Sequence, residues 1–294
     1  MAEFVKLHYL PPYNWDHQFR FLKSHQIYGS EIFTDGSYVR FFIDEVSGQL
    51  ASVKITHNEA EKCLNVEASN VCSLNLEKVC RKLRRMFDLD SDPILIAKIF
   101  SESKFLSGVY QKHLGIRIPS GWDIHEIVIC TILGQFVSVP MAAQLVKQLV
   151  TLFGKKVILH ESEATLFPTA QVLADADLTP LKTTTARKQT IITVSKMFAD
   201  ENLNQRKFEA KDFREKLLKI KGIGPWTAQY ATLRALGDPD AMPEKDLFIA
   251  RILKANPNIN HLDFSPWRSY LTLCLWEEFA TQFKKKSENR IKLI

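Results

Sequence analysis

Cysteine is scarce in this chain: Cys63, Cys72, Cys80, Cys130 and Cys274 are the only five among 294 residues, and none stands in a CxxC spacing. An odd number without paired spacing supports neither a disulfide framework nor a zinc site, so they read as reduced, mostly buried thiols. HExxH and GxxxxGK[ST] are both missing, which removes the metalloprotease and P-loop readings. The opening MAEFVKLHYLPPYNW lacks a basic segment followed by an apolar one, so no secretion signal is expected. The most apolar stretch, Ile124 to Val146, is broken by His125, Glu126, Gln135, Ser138, Pro140 and Gln144, which argues against a membrane span. Tandem repeats and low-complexity segments are also missing, which excludes a solenoid or a long disordered tail, although the final KKKSENRIKLI is expected to fray. A cytosolic globular protein is the expectation.

Hydrophobic residues make up 46% of the chain, enough for two or three domains with substantial cores. The formal charge of +6 favours a polyanionic partner, but 33 acidic residues are interspersed among 39 basic ones and no basic tail stands out. Between Ser37 and Ser69 the runs SYVRFFI, QLASVKIT and KCLNVEAS alternate with turn-forming segments and predict an antiparallel sheet. Helical spacing flanks it at Trp15 to His25 and at Leu76 to Phe87. Residues 1–92 therefore read as an α+β domain. Beyond Asp92-Pro93 the apolar period is three to four, and the remainder is expected to be nearly all helix.

The most informative segment is FREKLLKIKGIGPWTAQYATLRALG, Phe213 to Gly237. Phe213, Leu217 and Ile220 mark one helix, Gly222 and Gly224 permit a tight turn, Pro225 suits the opening of a second helix and Gly237 its end. In such a helix-hairpin-helix, here about 208–237, several backbone N–H groups point outward at the positive end of a helix dipole, where a phosphate sits. A bare GxG also serves as a plain turn between packed helices. Trp226, Tyr230 and Leu233 then share one face of the second helix; Leu233 reads as core, whereas Trp226 in the first turn is placed to stack on an extruded base. Asp246 follows Gly224 by 22 residues in MPEKDLFIARIL. It is placed to cap a short buried helix from Leu247 to Leu253. A cap at a helix N-terminus is favoured in its ionised form, which is the form that stabilises an oxocarbenium-like sugar.

Taken together, GIGPWTA and a following Asp at this interval resemble the helix-hairpin-helix glycosylase superfamily. The resemblance to the DNA-3-methyladenine glycosylase II family extends through PPYNWDHQFRFL, ILGQFVSVPMAA and PWRSYLTLCLW, nearly the whole chain. It implies an α+β fold: an N-terminal antiparallel α/β domain like half of a TATA-binding protein, followed by two all-α domains. The divisions expected are 1–92, a C-terminal helical domain of 93–123 with 239–294, and a central helical domain of 124–238. By this resemblance Asp246 is the catalytic carboxylate. The amides of Gly222, Gly224 and Thr227 bind phosphate, and the main-chain carbonyls of Leu218, Ile220 and Ile223 hold a structural monovalent cation (sodium or potassium). Phe21, Trp226, Tyr230 and Trp276 match the aromatic base pocket, while Leu247 stands where the family has a further aromatic.

In ILGQFVSVPMAAQLV, Ser138 is a good N-cap and Pro140 falls in the next first turn, so Gln135, Phe136 and Val137 lie in a bend between helices. Phe136 there is either a wedge that fills the gap left by a flipped base, with Gln135 beside it on the DNA, or a core residue folded back. Only Cys274 lies beyond Cys130, so no iron–sulfur cluster is expected. Bifunctional relatives carry a lysine where Trp226 stands, and without it no Schiff base forms. The function expected is a monofunctional glycosylase of base excision repair, monomeric, that flips alkylated bases such as 3-methyladenine and 7-methylguanine from double-stranded DNA and hydrolyses the glycosidic bond without a catalytic cofactor. A non-catalytic DNA-binding protein and a glycosylase for oxidised purines are the alternatives.

Overall fold

The computed structural model describes residues 2–102, 104–159, 162–201, 203 and 208–291. It opens with β1 (Ala2–His8), α1 (Trp15–Ser24), β2 (Glu31–Thr34), β3 (Ser37–Ile43), β4 (Leu50–Asn58), β5 (Cys63–Ser69) and α2 (Ser73–Met86). The strands form one antiparallel sheet in the order β1-β5-β4-β3-β2. The outer strands β1 and β2 add to the three central ones that the sequence runs marked. In β4 the buried positions Ala51, Val53 and Ile55 recur with the strand period of two. They share a core with Leu64, Val66, Val79, Leu83 and Met86, so α2 covers one face of the sheet.

The helical part follows: α3 (Pro93–Phe100), α4 (Lys104–Lys112), α5 (Ile124–Leu133), α6 (Val139–Phe153), α7 (Ala170–Asp175), α8 (Thr185–Glu201), α9 (Ala210–Leu218), α10 (Pro225–Leu236), α11 (Leu247–Ala255) and α12 (Arg268–Ile291). A 3-10 turn, His261–Phe264, precedes α12. The backbone of α12 stays helical where fraying was expected, and 292–294 lie outside the described residues.

The remainder is nearly all helix, as expected, and among the described residues it adds a two-stranded hairpin of β6 (Lys155–Leu159) and β7 (Ser162–Leu166), which departs from two all-α domains. Two five-residue strands are too short for their alternation to stand out from a helical background. Their stability is tertiary: Ala164 and Leu166 pack on Phe41 of β3, and the Thr165 amide donates to the Gly29 carbonyl at 3.1 Å. A second correction concerns α11. It is not a buried helix, because only Ile249 is buried while Leu247 and Phe248 are exposed. The cysteines also differ from expectation: Cys63 and Cys274 are buried and the other three are partly exposed.

Apart from the sheet, two larger cores form. One joins α5, α6, α8, α9 and α10 through Val128, Ile132, Leu149, Ile191, Leu217 and Ala231. The other joins α3, α4, α11 and α12 through Ile96, Phe100, Val109, Ile249, Leu271 and Leu275, and takes Leu233 from α10. Polar seams hold the parts together. Arg40 of β3 donates both Nη groups to Glu126 of α5, at 2.9 and 2.6 Å. Asp88, in the left-handed region at φ +52°, accepts from Tyr270 Oη at 2.8 Å and from the Ile118 amide at 3.0 Å. Burial raises the Asp88 carboxyl to about 6 against these stabilising contacts.

Candidate active site

The turn between α9 and α10 is built as its glycines require. Gly222 has φ +95°, and a Cβ there would stand 2.2 Å from Thr190 Oγ1. Gly224 caps α10 in an extended conformation, and a Cβ on it would meet nothing within 4 Å. Open space therefore lies before a helix start whose first residue, Pro225, has no N–H to leave unsatisfied. Gly237 ends the helix at φ +69°.

The bend between α5 and α6 is fastened to this turn. Gln135, buried, donates its side-chain amide to the Gly222 carbonyl and to Thr227 Oγ1, both at 2.9 Å. Arg187 of α8 donates to the Gln135 carbonyl, and Thr190 Oγ1 donates to the Lys221 carbonyl at 3.1 Å. Gln135 thus turns its side-chain amide nitrogen inward on the hairpin. Phe136 beside it is wholly exposed, 102%, and has φ +55°. Among the cation-site residues, Leu218 is exposed, Ile220 half-buried and Ile223 buried. The Ile220 carbonyl accepts the Ile223 amide at 3.1 Å.

A second group assembles around α10. Trp226 and Tyr230 stack with centroids 5.1 Å apart and planes within 9°, and Trp276 of α12 tilts against Tyr230 at 5.9 Å. Trp226 Nε1 donates to Asp246 Oδ2 at 3.1 Å. The other carboxylate oxygen, Oδ1, accepts the amides of Phe248 (3.0 Å) and Ile249 (3.3 Å) at the start of α11. Asp246 is thereby held on both oxygens, by an indole and by the first free amides of a helix. Leu247 next to it points to solvent, 70% exposed. Phe21 is one step removed: its ring stacks on His25 at 4.3 Å and lies 4.8 Å from the Arg234 guanidinium.

The structure therefore brings Asp246, Trp226, Tyr230 and Trp276 into one contiguous set. It brings Gln135, Gly222 and Thr227 into another, with Phe136 at its edge. A cavity of about 260 Å³ lined by Arg40, Lys82, Trp122 and Glu126 holds none of these residues. Sequence reasoning missed Arg234 and Thr190. Arg234 left a signal, a charge in the otherwise apolar TLRAL one turn after Tyr230; Thr190 left none.

Several known proteins are similar to this chain. Residues 4–123 match the AlkA N-terminal domain. The chain is 28% identical over 279 residues to DNA-3-methyladenine glycosylase 2 of Escherichia coli, covering 92% of this chain and 95% of that protein. It is 33% identical over 207 residues to a Mycobacterium tuberculosis relative named as a bifunctional transcriptional activator/DNA repair enzyme AlkA, and spans only 41% of that protein's length. The 3-methyladenine DNA-glycosylase of Archaeoglobus fulgidus has the same fold, with a TM-score of 0.78, 21% identity and coverage of 95% of this chain and 98% of that one. The chain shares that protein's fold and carries a helix-hairpin-helix. Its N-terminal domain and these relatives make the chain similar to the DNA-3-methyladenine glycosylases.

Proposed function

We propose that the protein is a monofunctional DNA glycosylase that removes alkylated bases from double-stranded DNA and leaves an abasic site. The observation that carries this reading is the Trp226–Asp246 pair beside the phosphate-binding turn. The hairpin amides hold the backbone of the duplex, and Phe136 fills the gap left by the extruded nucleotide. Trp226, Tyr230 and Trp276 stack on the base. As the bond from the sugar C1′ to the base nitrogen lengthens, positive charge develops on the sugar, and Asp246 stabilises it electrostatically. Its two oxygens are fixed beforehand, so little reorganisation accompanies the reaction. Water completes the substitution at C1′, because the position where bifunctional relatives carry a lysine nucleophile is filled by an indole.

A monovalent cation would fit at the turn. The Ile220 carbonyl has one lone pair engaged by Ile223 and one left, and the carbonyls of Leu218 and Ile223 complete the oxygen donors the family uses. Bound there, it would supply positive charge between the hairpin and a phosphate. The reading is tested by base release from methylated duplex DNA. Asp246→Asn is expected to lower excision by about 10³-fold or more, while affinity for an abasic duplex changes little. Retention of most activity would show that another carboxylate does the work, and a borohydride-trapped adduct would rule out the monofunctional mechanism.

A further inference from the structure

Phe136 stands in a backbone conformation that a bulky side chain rarely adopts, φ +55°, with its ring wholly in solvent. A ring that packs on nothing does not hold its own backbone in place, so the bend is fixed by its neighbours. Before it, the Gln135 main-chain amide donates to the Ile132 carbonyl at 3.3 Å, and the Gln135 side chain is bound to Gly222 and Thr227. After it, Ser138 Oγ accepts the Met141 amide at 3.4 Å and opens α6. The group nearest to Phe136 is the Gln135 carbonyl, and it accepts from the Arg187 guanidinium.

That carbonyl lies in the rigid peptide plane that leads into Phe136, and φ at Phe136 is measured from this plane. Fixing the direction of the carbonyl therefore fixes the reference from which the left-handed turn is made. Released, the plane is free to swing and Phe136 to relax into the broad negative-φ regions, which would carry the ring elsewhere. Arg187 is itself anchored: its amide donates to Thr184 Oγ1 at 3.3 Å and its second Nη donates to Thr183 Oγ1 at 3.4 Å. It is half-buried and makes no ion pair with a described residue. Three residues along the same helix, Thr190 holds the Lys221 carbonyl of the hairpin. One helix, α8, thus registers the exposed ring against the glycine turn.

We propose that Arg187 is a positioning residue for base flipping: by fixing the Gln135 carbonyl it keeps Phe136 presented to the duplex. The proposal rests on the wedge reading of Phe136 above. The glycine turn does not need Arg187, because the Gln135 side chain keeps both of its bonds to the turn and Thr190 keeps its own. Loss of Arg187 should therefore act on the flipped state and spare the phosphate contacts. An arginine without a counter-charge has another ordinary use, direct contact with a phosphate, and the salt dependence of binding separates the two.

Affinities of the full chain for an abasic-analogue duplex and for its undamaged counterpart, measured over a salt series, make the test. Arg187→Met is expected to lower affinity for the abasic-analogue duplex by about tenfold, the scale of one lost ring–base contact, with undamaged affinity and the salt slope nearly unchanged. In a Phe136→Ala background the same substitution is expected to change neither affinity, because Arg187 acts through the ring. Arg187→Lys keeps a donor and is expected to retain most of the preference. Equal losses on both duplexes with a shallower salt slope would overturn the proposal in favour of phosphate contact. Additive losses in the double variant would overturn it in favour of a general structural role. If Arg187→Met does not fold, Arg187→Gln, with a shorter side chain, is read by the same comparison. Should Phe136→Ala bind both duplexes as the wild type does, the wedge reading fails and this proposal with it; a selective loss there with none in Arg187→Met overturns the positioning role alone.

Discussion

The turn that leads into α10 and the segment that delivers Asp246 meet at Trp226, yet they are held in opposite ways. The turn is clamped from behind by Gln135, which Arg187 holds in place, and by Thr190, through hydrogen bonds that come from the α5–α6 bend and from α8. The segment before Asp246 is tied farther upstream, with the Met242 amide donating to Gln229 Oε1 and Ser269 Oγ donating to the Ala241 carbonyl, and the braces thin out toward Asp246 itself. Its helix buries one residue, and its carboxylate is oriented by the helix's own amides and by one indole. Damage to the turn should therefore spread into folding and DNA affinity together, whereas damage around Asp246 should stay local to the chemistry.

The strongest way to break this contrast is Gly222→Ala. The left-handed backbone and the 2.2 Å approach to Thr190 Oγ1 are expected to cost about 2–3 kcal/mol of stability, read from urea unfolding, and to weaken duplex binding as the turn shifts. Gln135→Leu comes next. It strands the Gly222 carbonyl and the Thr227 hydroxyl, with an expected cost of about 1–3 kcal/mol and a comparable loss of affinity for damaged and undamaged duplex alike. If only damaged duplex were affected, Gln135 would contact DNA and not brace the turn.

Asp88→Asn sharpens the comparison by probing a seam remote from both. The folded carboxyl sits at about 6, above its ordinary value of 3.8, so the native chain holds this proton more tightly than the unfolded one. Its contribution is full below about pH 4 and is lost as pH rises toward 6 and slightly beyond. Asparagine tolerates the left-handed backbone and carries no proton to lose, so the difference in Tm between wild type and variant should change over that window and be flat above pH 7. The smallest effect is expected from Leu247→Ala, within about 0.5 kcal/mol of wild-type stability, because the side chain covers nothing. A cost like that of Gly222→Ala would show that the chain is braced at Asp246 after all.

Much of the scaffold was legible in the sequence because its cues are local. Gly222, Gly224, Pro225 and Gly237 each mark a backbone conformation, and Asp246 precedes its helix as a cap should. The central strands β3 to β5 showed their period of two. Elements fixed by distant partners were not legible. The hairpin of β6 and β7 exists because Phe41 lies under it, and β2 is four residues stabilised by its neighbour. At the candidate site, the types of residue were readable but their allegiances were not. Gln135 stands in a bend that faces outward, and only the fold reveals Gly222 and Thr227 within reach of its amide. Arg234 passes unremarked in TLRAL, and only the fold brings Phe21, from a helix far away in sequence, against it.

Phe136 has a bearing on timing as well as on affinity. Its backbone already occupies the left-handed region and its ring is already in solvent, so both the strain and the hydration of an apolar surface are borne by the free protein. In its proposed role the bend already presents the ring outward when a duplex arrives, so insertion needs no change in the backbone there. Each encounter with a duplex becomes a test of how readily a given base pair opens, made by a probe that is presented before contact.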